Sequence, residues 1–342
     1  MSRFYSPGFP LSGFGHWTNS KTFVKMTYMY HMNPKIKIVV LCGPTAIGKT
    51  AAAIALAGSL KGEIVNADSM QIYRYMDIGT AKPTPEDRKL VPHHLVDIAD
   101  PDQDFDAAKF SAKAHDVISH LNTRQITPIV AGGTGLYIKA LVHGLFEMMP
   151  ADPEIRDQLK EQVRQFGVGY LYEQLRKIDP ETSQKLHSND LQRIMRAIEV
   201  YFITGNTISS HQKRHGFGEN PFKVLKIGLI VDREALYRRV EQRVDAMIRD
   251  GLLDEVIGLL AKGYSKDLKS MQSIGYRHMT DFIEGQTNWQ ETIRVLKRDT
   301  RRYAKRQLTW FNKDKDIKWK SPDEIDEIIK MVKTFLLRNE SN

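Results

Sequence analysis

Four short runs of branched apolar residues punctuate the chain, and helical spacing follows most of them. Residues 36–41, 63–67, 127–130 and 224–231 are brief and bounded by turn residues, so they read as strands buried on both faces. Residues 51–60 are Ala-rich and free of proline, a good helix. Residues 105–122 also carry a helical period. Strand and helix in alternation predict a parallel α/β sheet. From about Met148 to Phe222 that alternation stops. Residues 153–166, 168–177 and 190–204 predict helices; in the last, Leu191, Ile194, Met195, Ile198 and Phe202 form one apolar stripe, with Gln192, Arg193 and Arg196 opposite. This reads as a small all-helical domain, a lid or a static appendage, inserted in the core. Asp232 is placed to cap a helix over 233–250, with Leu236, Val240, Val244 and Met247 towards the core. The expected organisation is an extension over 1–32, a core of 33–147 and 223–342 with basic C-terminal helices, and the insertion over 148–222.

The join between the first strand and the first helix carries the clearest chemistry. Gly43, Pro44, Thr45, Ala46, Ile47, Gly48, Lys49 and Thr50 match G-x-x-x-x-G-K-[ST] at every fixed position. Such a loop turns its backbone N–H groups into a nest for phosphate oxygens, and the helix start adds partial positive charge. Lys49 supplies a full charge, and Thr50 offers a hydroxyl to a phosphate-bound Mg²⁺. A nucleoside triphosphate is the default ligand. Enzymes that hydrolyse one normally carry an acid at the end of a neighbouring apolar strand. Here the strand over 127–130 runs into Gly132, Gly133 and Thr134, and Asp97 is a poor substitute. The chain has a phosphate cradle without a clear hydrolytic apparatus, which favours a transferase or kinase. The glycines also let a bulky ligand approach the backbone. Asp68, after the second strand, lies where open α/β sheets place their ligands.

Charge extends the picture. The 342 residues carry a net charge of +9, consistent with a polyanionic partner. Arg239 and Arg243 share a helix face and could clamp phosphate; pairing with Glu241 and Asp245 is the alternative. Arg294, Lys297, Arg298, Arg301, Arg302, Lys305 and Arg306 crowd one helix against Asp299, interleaved with Tyr303 and Trp310, a pattern that suits an RNA backbone. The one cysteine, Cys42, excludes an intrachain disulfide framework. His93 and His94 point to opposite sides of a strand, which favours structural roles over a metal site. Residues 1–32 have no period and no secretory apolar segment, and read as a disordered or mis-assigned extension, with Met26, Met29 and Met32 as other possible starts.

Together these pieces resemble the bacterial tRNA dimethylallyltransferase family from about Asn33 onward. The matching stretches are the phosphate loop, Asp68-Ser69-x-Gln71-x-Tyr73, residues 76–83 and Gly132-Gly133-Thr134-x-Leu136-Tyr137. Residues 151–156, Gln192-Arg193-x-x-Arg196-Ala197, Gly275-Tyr276-Arg277 and Lys305-Arg306-Gln307-x-Thr309-Trp310 complete them. The departures are the first 32 residues and Gly135, where some relatives are larger.

The resemblance implies transfer of a dimethylallyl group from dimethylallyl diphosphate to N6 of the adenine 3′-adjacent to the anticodon, in tRNAs reading codons that begin with U. It implies Asp68, Lys49, Thr50 and Arg243 as catalytic, residues 43–50 on the diphosphate and Mg²⁺ at Thr50. Asp68, Ser69, Met70, Gln71, Thr134, Arg156, Gln192, Arg193, Ile194, Met195, Arg196, Ser273, Ile274, Gly275, Tyr276, Arg277 and His278 are implied along the anticodon stem-loop. A cytoplasmic monomer with no membrane contact is the matching expectation. A P-loop small-molecule or nucleoside kinase and a non-catalytic RNA-binding protein are the rival readings.

Overall fold

The structure, a computed structural model, describes residues 35–144, 152–215 and 220–338. The extension expected over 1–32 and the expected insertion start at Met148 lie outside them. The first half runs β1 (Ile36–Cys42), α1 (Lys49–Ser59), β2 (Gly62–Asn66), α2 (Pro85–Leu90), β3 (His93–His94), α3 (Ala107–Thr123), β4 (Thr127–Gly132) and α4 (Gly135–His143). Five helices follow: α5 (Pro153–Phe166), α6 (Val168–Ile178), α7 (Pro180–Lys185), α8 (Leu191–Thr204) and α9 (Ile208–His215). The chain then returns through β5 (Phe222–Leu229), α10 (Arg233–Arg249), α11 (Leu252–Ala261), α12 (Tyr276–Ile283), α13 (Trp289–Phe311), β6 (Lys318–Lys320) and α14 (Ile325–Leu337).

The strands form one parallel sheet in the order β3-β2-β4-β1-β5-β6, the expected α/β class. Why β1 reads as continuously apolar is now visible. Ile38, Val40 and Cys42 pack on one face with Phe110, Ile118 and Leu141. Val39 and Leu41 pack on the other with Leu56, Val240 and Ile328. A period of two, covered on both sides, leaves no polar position. After β1 the chain moves outward to β2 and β3, and it later crosses to β5 on the far side of β1. The carboxyl end of β1 therefore sits at a switch point, where such sheets bind ligands.

A third core lies under the loop after β2. Ile72, Tyr73 and Met76 pack with Val244, Leu252, Val256, Tyr276 and Leu296. Helices α5 to α9 close on their own core of Leu159, Leu171, Leu175, Ile194, Met195 and Ile198. The helices α7 and α9 do not stand out in the sequence; both are short, and α7 begins at Pro180 beneath the cap from Asp179 to the Thr182 N–H. The predicted stripe of α8 holds except at Phe202, which is 53% exposed.

The glycines after β4 serve the protein's own packing rather than a ligand's approach. A Cβ on Gly132 would sit 2.1 Å from the Ala67 carbonyl oxygen, one on Gly133 2.4 Å from Gln307 Nε2, and one on Gly135 2.1 Å from Trp310 Nε1. Gly132 meets backbone, which cannot swing aside. We expect Gly132→Ala to destabilise the fold by about 1–3 kcal/mol through overpacking. Gly58, in α1 with open space around its Cβ position, should gain about 0.4–1 kcal/mol as alanine. Urea midpoints of the two variants should move in opposite directions.

Candidate active site

Gly43 ends β1 at φ +152°, where a Cβ would meet the Leu229 carbonyl oxygen at 2.9 Å. Ala46 (φ +63°) and Gly48 (φ +99°) are left-handed, and they turn the loop back to start α1. Gly48 offers α1 no side-chain cap, unlike Asp106, Asp152, Asp232 and Asn288 at other helix starts. The first N–H groups of α1 are thus left for an acceptor from outside.

Around that start lies a cavity of about 890 Å³. Residues 45–50, 68–71 and 273–277 line it together with Arg243, Tyr303 and Gln307. These segments are up to about 260 residues apart in the chain; the carboxyl edge of the sheet and the third core bring them together. Lys49 donates to the Pro44 carbonyl oxygen at 2.7 Å. Lys49 is half-buried at the cavity wall, and this desolvation, with Arg243 nearby, lowers its pKa to about 8. Burial also pulls the Arg243 guanidinium below its usual range. One nitrogen of Arg243 donates to the Thr80 carbonyl oxygen at 3.4 Å, and its buried Nε has no partner.

Asp68 is the counter-charge that does not close on them. Its Oδ1 accepts from the Met70 and Gln71 N–H groups at 2.9 and 3.4 Å. It raises the proton affinity of Lys49 and Arg243 by proximity, yet pairs with neither. Arg239, the expected second half of a clamp, instead donates to the Ile47 carbonyl oxygen at 3.2 Å and props the loop from behind. The anticipated partners of this pair are taken: Glu241 by Arg301, and Asp245 by Lys297 at 2.6 Å.

Sequence reasoning missed how the loop over 76–83 is fixed. Glu255 of α11 accepts from the N–H groups of Asp77, Ile78 and Gly79 at 2.8, 2.7 and 3.1 Å, and from the Tyr276 hydroxyl at 2.6 Å. Gln71 holds the same loop by donating to the carbonyls of Thr80 and Ala81 at 3.1 and 3.0 Å. Glu255 lies in no motif, so nothing in the chain flags it. Gln307 was visible in a motif but carried no role; its Oε1 accepts from the Thr45 N–H at 2.8 Å. Asp97, weighed as an acid for Mg²⁺, is held by Lys82 and Arg88, each at 2.6 Å. His94 pairs with Glu63 at 2.6 Å, and His93 Nδ1 lies 2.8 Å from the Val91 carbonyl oxygen.

Several residues expected along RNA have other work. Ile194 and Met195 are core, Tyr276 is fully buried, and His278 is buried against Asp299 at 3.3 Å. Arg156 and Arg196 converge on the buried Glu199 at 2.8 and 2.7 Å. Burial alone would raise the Glu199 pKa; the bonds from Arg156 and Arg196 outweigh it and hold the carboxylate below its usual range. Thr134 accepts from the Ser69 N–H at 2.9 Å. Neither Arg156 nor residues 192–196 line the cavity. The basic helix α13 is also less free than its composition suggests: Asp299 alone meets Arg277 at 2.7 Å, Arg298 at 3.0 Å and Arg302 at 3.7 Å.

Fold and site together define a phosphate-loop α/β protein with an inserted helical bundle. The IPP transferase family model matches residues 71–314, and an isopentenyl transferase model matches residues 36–97. The chain belongs to the IPP transferase family. A tRNA dimethylallyltransferase of Desulfosudis oleivorans is 50% identical over 301 residues, 88% of this chain and 96% of that one. A tRNA dimethylallyltransferase 1 of Pelobacter propionicus is 52% identical over 283 residues, 83% of this chain and 92% of that one. The crystal structure of a tRNA isopentenylpyrophosphate transferase from Bacillus halodurans superposes with a TM-score of 0.67 at 40% identity, covering 88% of this chain and 97% of that one. A eukaryotic dimethylallyltransferase acting on tRNA gives 0.72 at 27% identity, covering 84% and 74%.

The lowered pKa of Lys49 makes anion binding pH-dependent. Burial favours the neutral amine, and a bound polyphosphate favours the ammonium. Above about pH 8 the empty site has lost that proton, so inorganic pyrophosphate must bind with proton uptake, and its affinity falls. Calorimetry in two buffers of different ionisation heat measures the uptake. Lys49→Arg stays charged and should flatten the profile to that of pyrophosphate's own titration.

Proposed function

We propose that this chain transfers a dimethylallyl group from dimethylallyl diphosphate to the exocyclic N6 of the adenine 3′-adjacent to the anticodon, in tRNAs reading codons that begin with U. The observation that carries this reading is the shared cavity: two half-buried cations and an uncapped helix start face one carboxylate that does not neutralise them. Loop, Lys49 and Arg243 grip the donor's diphosphate and stabilise the charge that grows on it as the C1–O bond breaks. Asp68 accepts the N6 proton as N6 attacks C1. The N6 lone pair is delocalised into the purine, so drawing away its proton is what makes it a nucleophile.

Arg277 and the cavity-lining cations of α13 support an RNA approaching that side. The adenine has to leave its stack to reach Asp68. Among the described residues no group of three or more His, Cys, Asp or Glu could hold a metal. A hydroxyl donor, Thr50, beside a phosphate-binding loop would suit a Mg²⁺ brought in by the substrate phosphates. Thr50 would hold it, and its chemistry there is neutralisation of the departing diphosphate. No helix among the described residues is long and apolar enough to cross a membrane. Relatives named for acting on tRNA support a cytoplasmic setting, and we propose that the chain acts there as a monomer. Membership of a family that transfers isopentenyl-type groups weighs against the kinase reading and against a non-catalytic RNA binder.

The test of the activity is direct: tRNA incubated with protein and dimethylallyl diphosphate should yield N6-dimethylallyladenosine on nucleoside mass analysis. The roles separate in variants. Asp68→Ala should lower single-turnover prenyl transfer by about 10²–10⁴ as a lost general base, while diphosphate binding survives or tightens. Arg243→Ala should weaken diphosphate binding as well as slow transfer, because it meets the donor before and during bond breaking. Lysine there should rescue only in part, lacking the bidentate fork. Near-normal turnover by Asp68→Ala would remove it as the base. Unchanged donor affinity in Arg243→Ala would remove it from the diphosphate.

A further inference from the structure

Gln307 is nearly buried and spends both ends of its amide on backbone. Its Oε1 accepts from the Thr45 N–H at 2.8 Å, and its Nε2 donates to the Gly133 carbonyl oxygen at 2.9 Å. The two partners fix the amide's orientation, since a flip would set N–H against N–H and oxygen against oxygen. Thr45 opens the phosphate loop, and Gly133 opens the turn after β4. One side chain of α13 thus ties together two loops that lie 88 residues apart in the chain.

The same helix turns other residues to the cavity. Arg298, Arg302 and Arg306 recur at every fourth position and line it. Arg306 also lies over the Tyr303 ring at 5.6 Å. Gln307 follows Arg306 directly. The Gly133 and Gly135 backbones lie against Gln307 and Trp310 with no room for a Cβ, so the helix and the turn after β4 are in direct contact. A rigid rod with cations towards one ligand and a clasp on the loop for another links the two energetically.

We infer that Gln307 is a positioning residue that holds the phosphate loop in its anion-receptive shape and couples RNA binding on α13 to diphosphate binding at residues 45–50. This deepens the function proposed above and rests on it. The clasp spends both polar ends of Gln307 on backbone. It fixes the direction of the loop entering the nest, and any shift of α13 as phosphates settle on its arginines is delivered to Thr45. Linkage is reciprocal, so diphosphate must change RNA affinity by the same factor.

The experiment measures that factor. Inorganic pyrophosphate with Mg²⁺ is titrated into the full chain, alone and saturated with an anticodon stem-loop RNA. The RNA is then titrated with and without pyrophosphate. In the natural protein both ratios should agree and differ from one by on the order of fivefold or more. Gln307→Met keeps the volume and removes both hydrogen bonds; its ratio should fall to within about twofold of one, while RNA affinity alone is kept. Gln307→Asn, too short to span both loops, gives the same reading should the methionine variant not fold. A natural protein with a ratio of one, or a folded variant that keeps the natural ratio, overturns the clasp. A natural protein that binds neither probe overturns the proposed function instead.

Discussion

Two half-buried cations without an ion-pair partner set the conditions for everything around the cavity. Desolvating a charge is costly, and proteins usually answer with a carboxylate in contact. Lys49 and Arg243 have only carbonyl oxygens and a nearby Asp68. Had Asp68 closed on either, the site would have neutralised itself and an incoming anion would have had to break the pair. The turn after β2 prevents this: two backbone N–H groups hold Oδ1 of Asp68. The remaining cost is recovered when a polyphosphate binds, which is how unpaired half-buried charge becomes affinity.

Keeping those cations unpaired takes effort elsewhere in the fold. Glu241 and Asp245 lie two residues to either side of Arg243 on α10, positions that do not face it across the helix. Each pairs with a cation of α13. Glu255 is consumed by three loop N–H groups and a hydroxyl, so it too is unavailable. Its effect reaches further, since the loop it anchors presents the Thr80 carbonyl to Arg243. Part of the basic character of α13 is thus spent on bookkeeping among acids, and Asp299 absorbs more of it. The cations that line the cavity remain a smaller set than composition suggests.

How much of this was legible in the sequence depends on range. The strand-loop-helix unit over 36–60 is local, and β1, the loop and α1 were readable to within a residue or two. Buried strands announced themselves because both faces are covered. Long-range pairings were not readable. Lys297 and Arg301 of α13 look unopposed in sequence because their acids, Asp245 and Glu241, sit 52 and 60 residues earlier on α10, brought close only by folding. Tyr276, at the cavity wall, and His278, two residues on, look like ligand contacts from their motif alone; that Tyr276 also belongs to the third core and that His278 packs against Asp299 is not visible there. Phe202 fits the stripe of α8 by period, but the five-helix core ends before it. Glu255 could not be found at all, because its role is defined by three N–H groups in a loop 176 to 178 residues away.

The glycines after β4 show why a residue's tolerance must be read through space. A glycine beside a phosphate loop invites the reading that a ligand needs the room. Here the room is filled by α13, whose buried row of Thr292, Leu296, Thr300, Ala304, Gln307 and Phe311 seats the helix in the sheet edge. A larger residue at position 135 and Trp310 in its present rotamer cannot coexist, because the added Cβ would overlap the indole nitrogen. The flexible end of a side chain can move where a backbone cannot, so the clash at 135 is negotiable and that at 132 is not. A relative with a larger residue at this place therefore has to turn its tryptophan or shift this helix. Either change would alter the seat of the helix that carries both the cavity-lining arginines and the clasp on the phosphate loop.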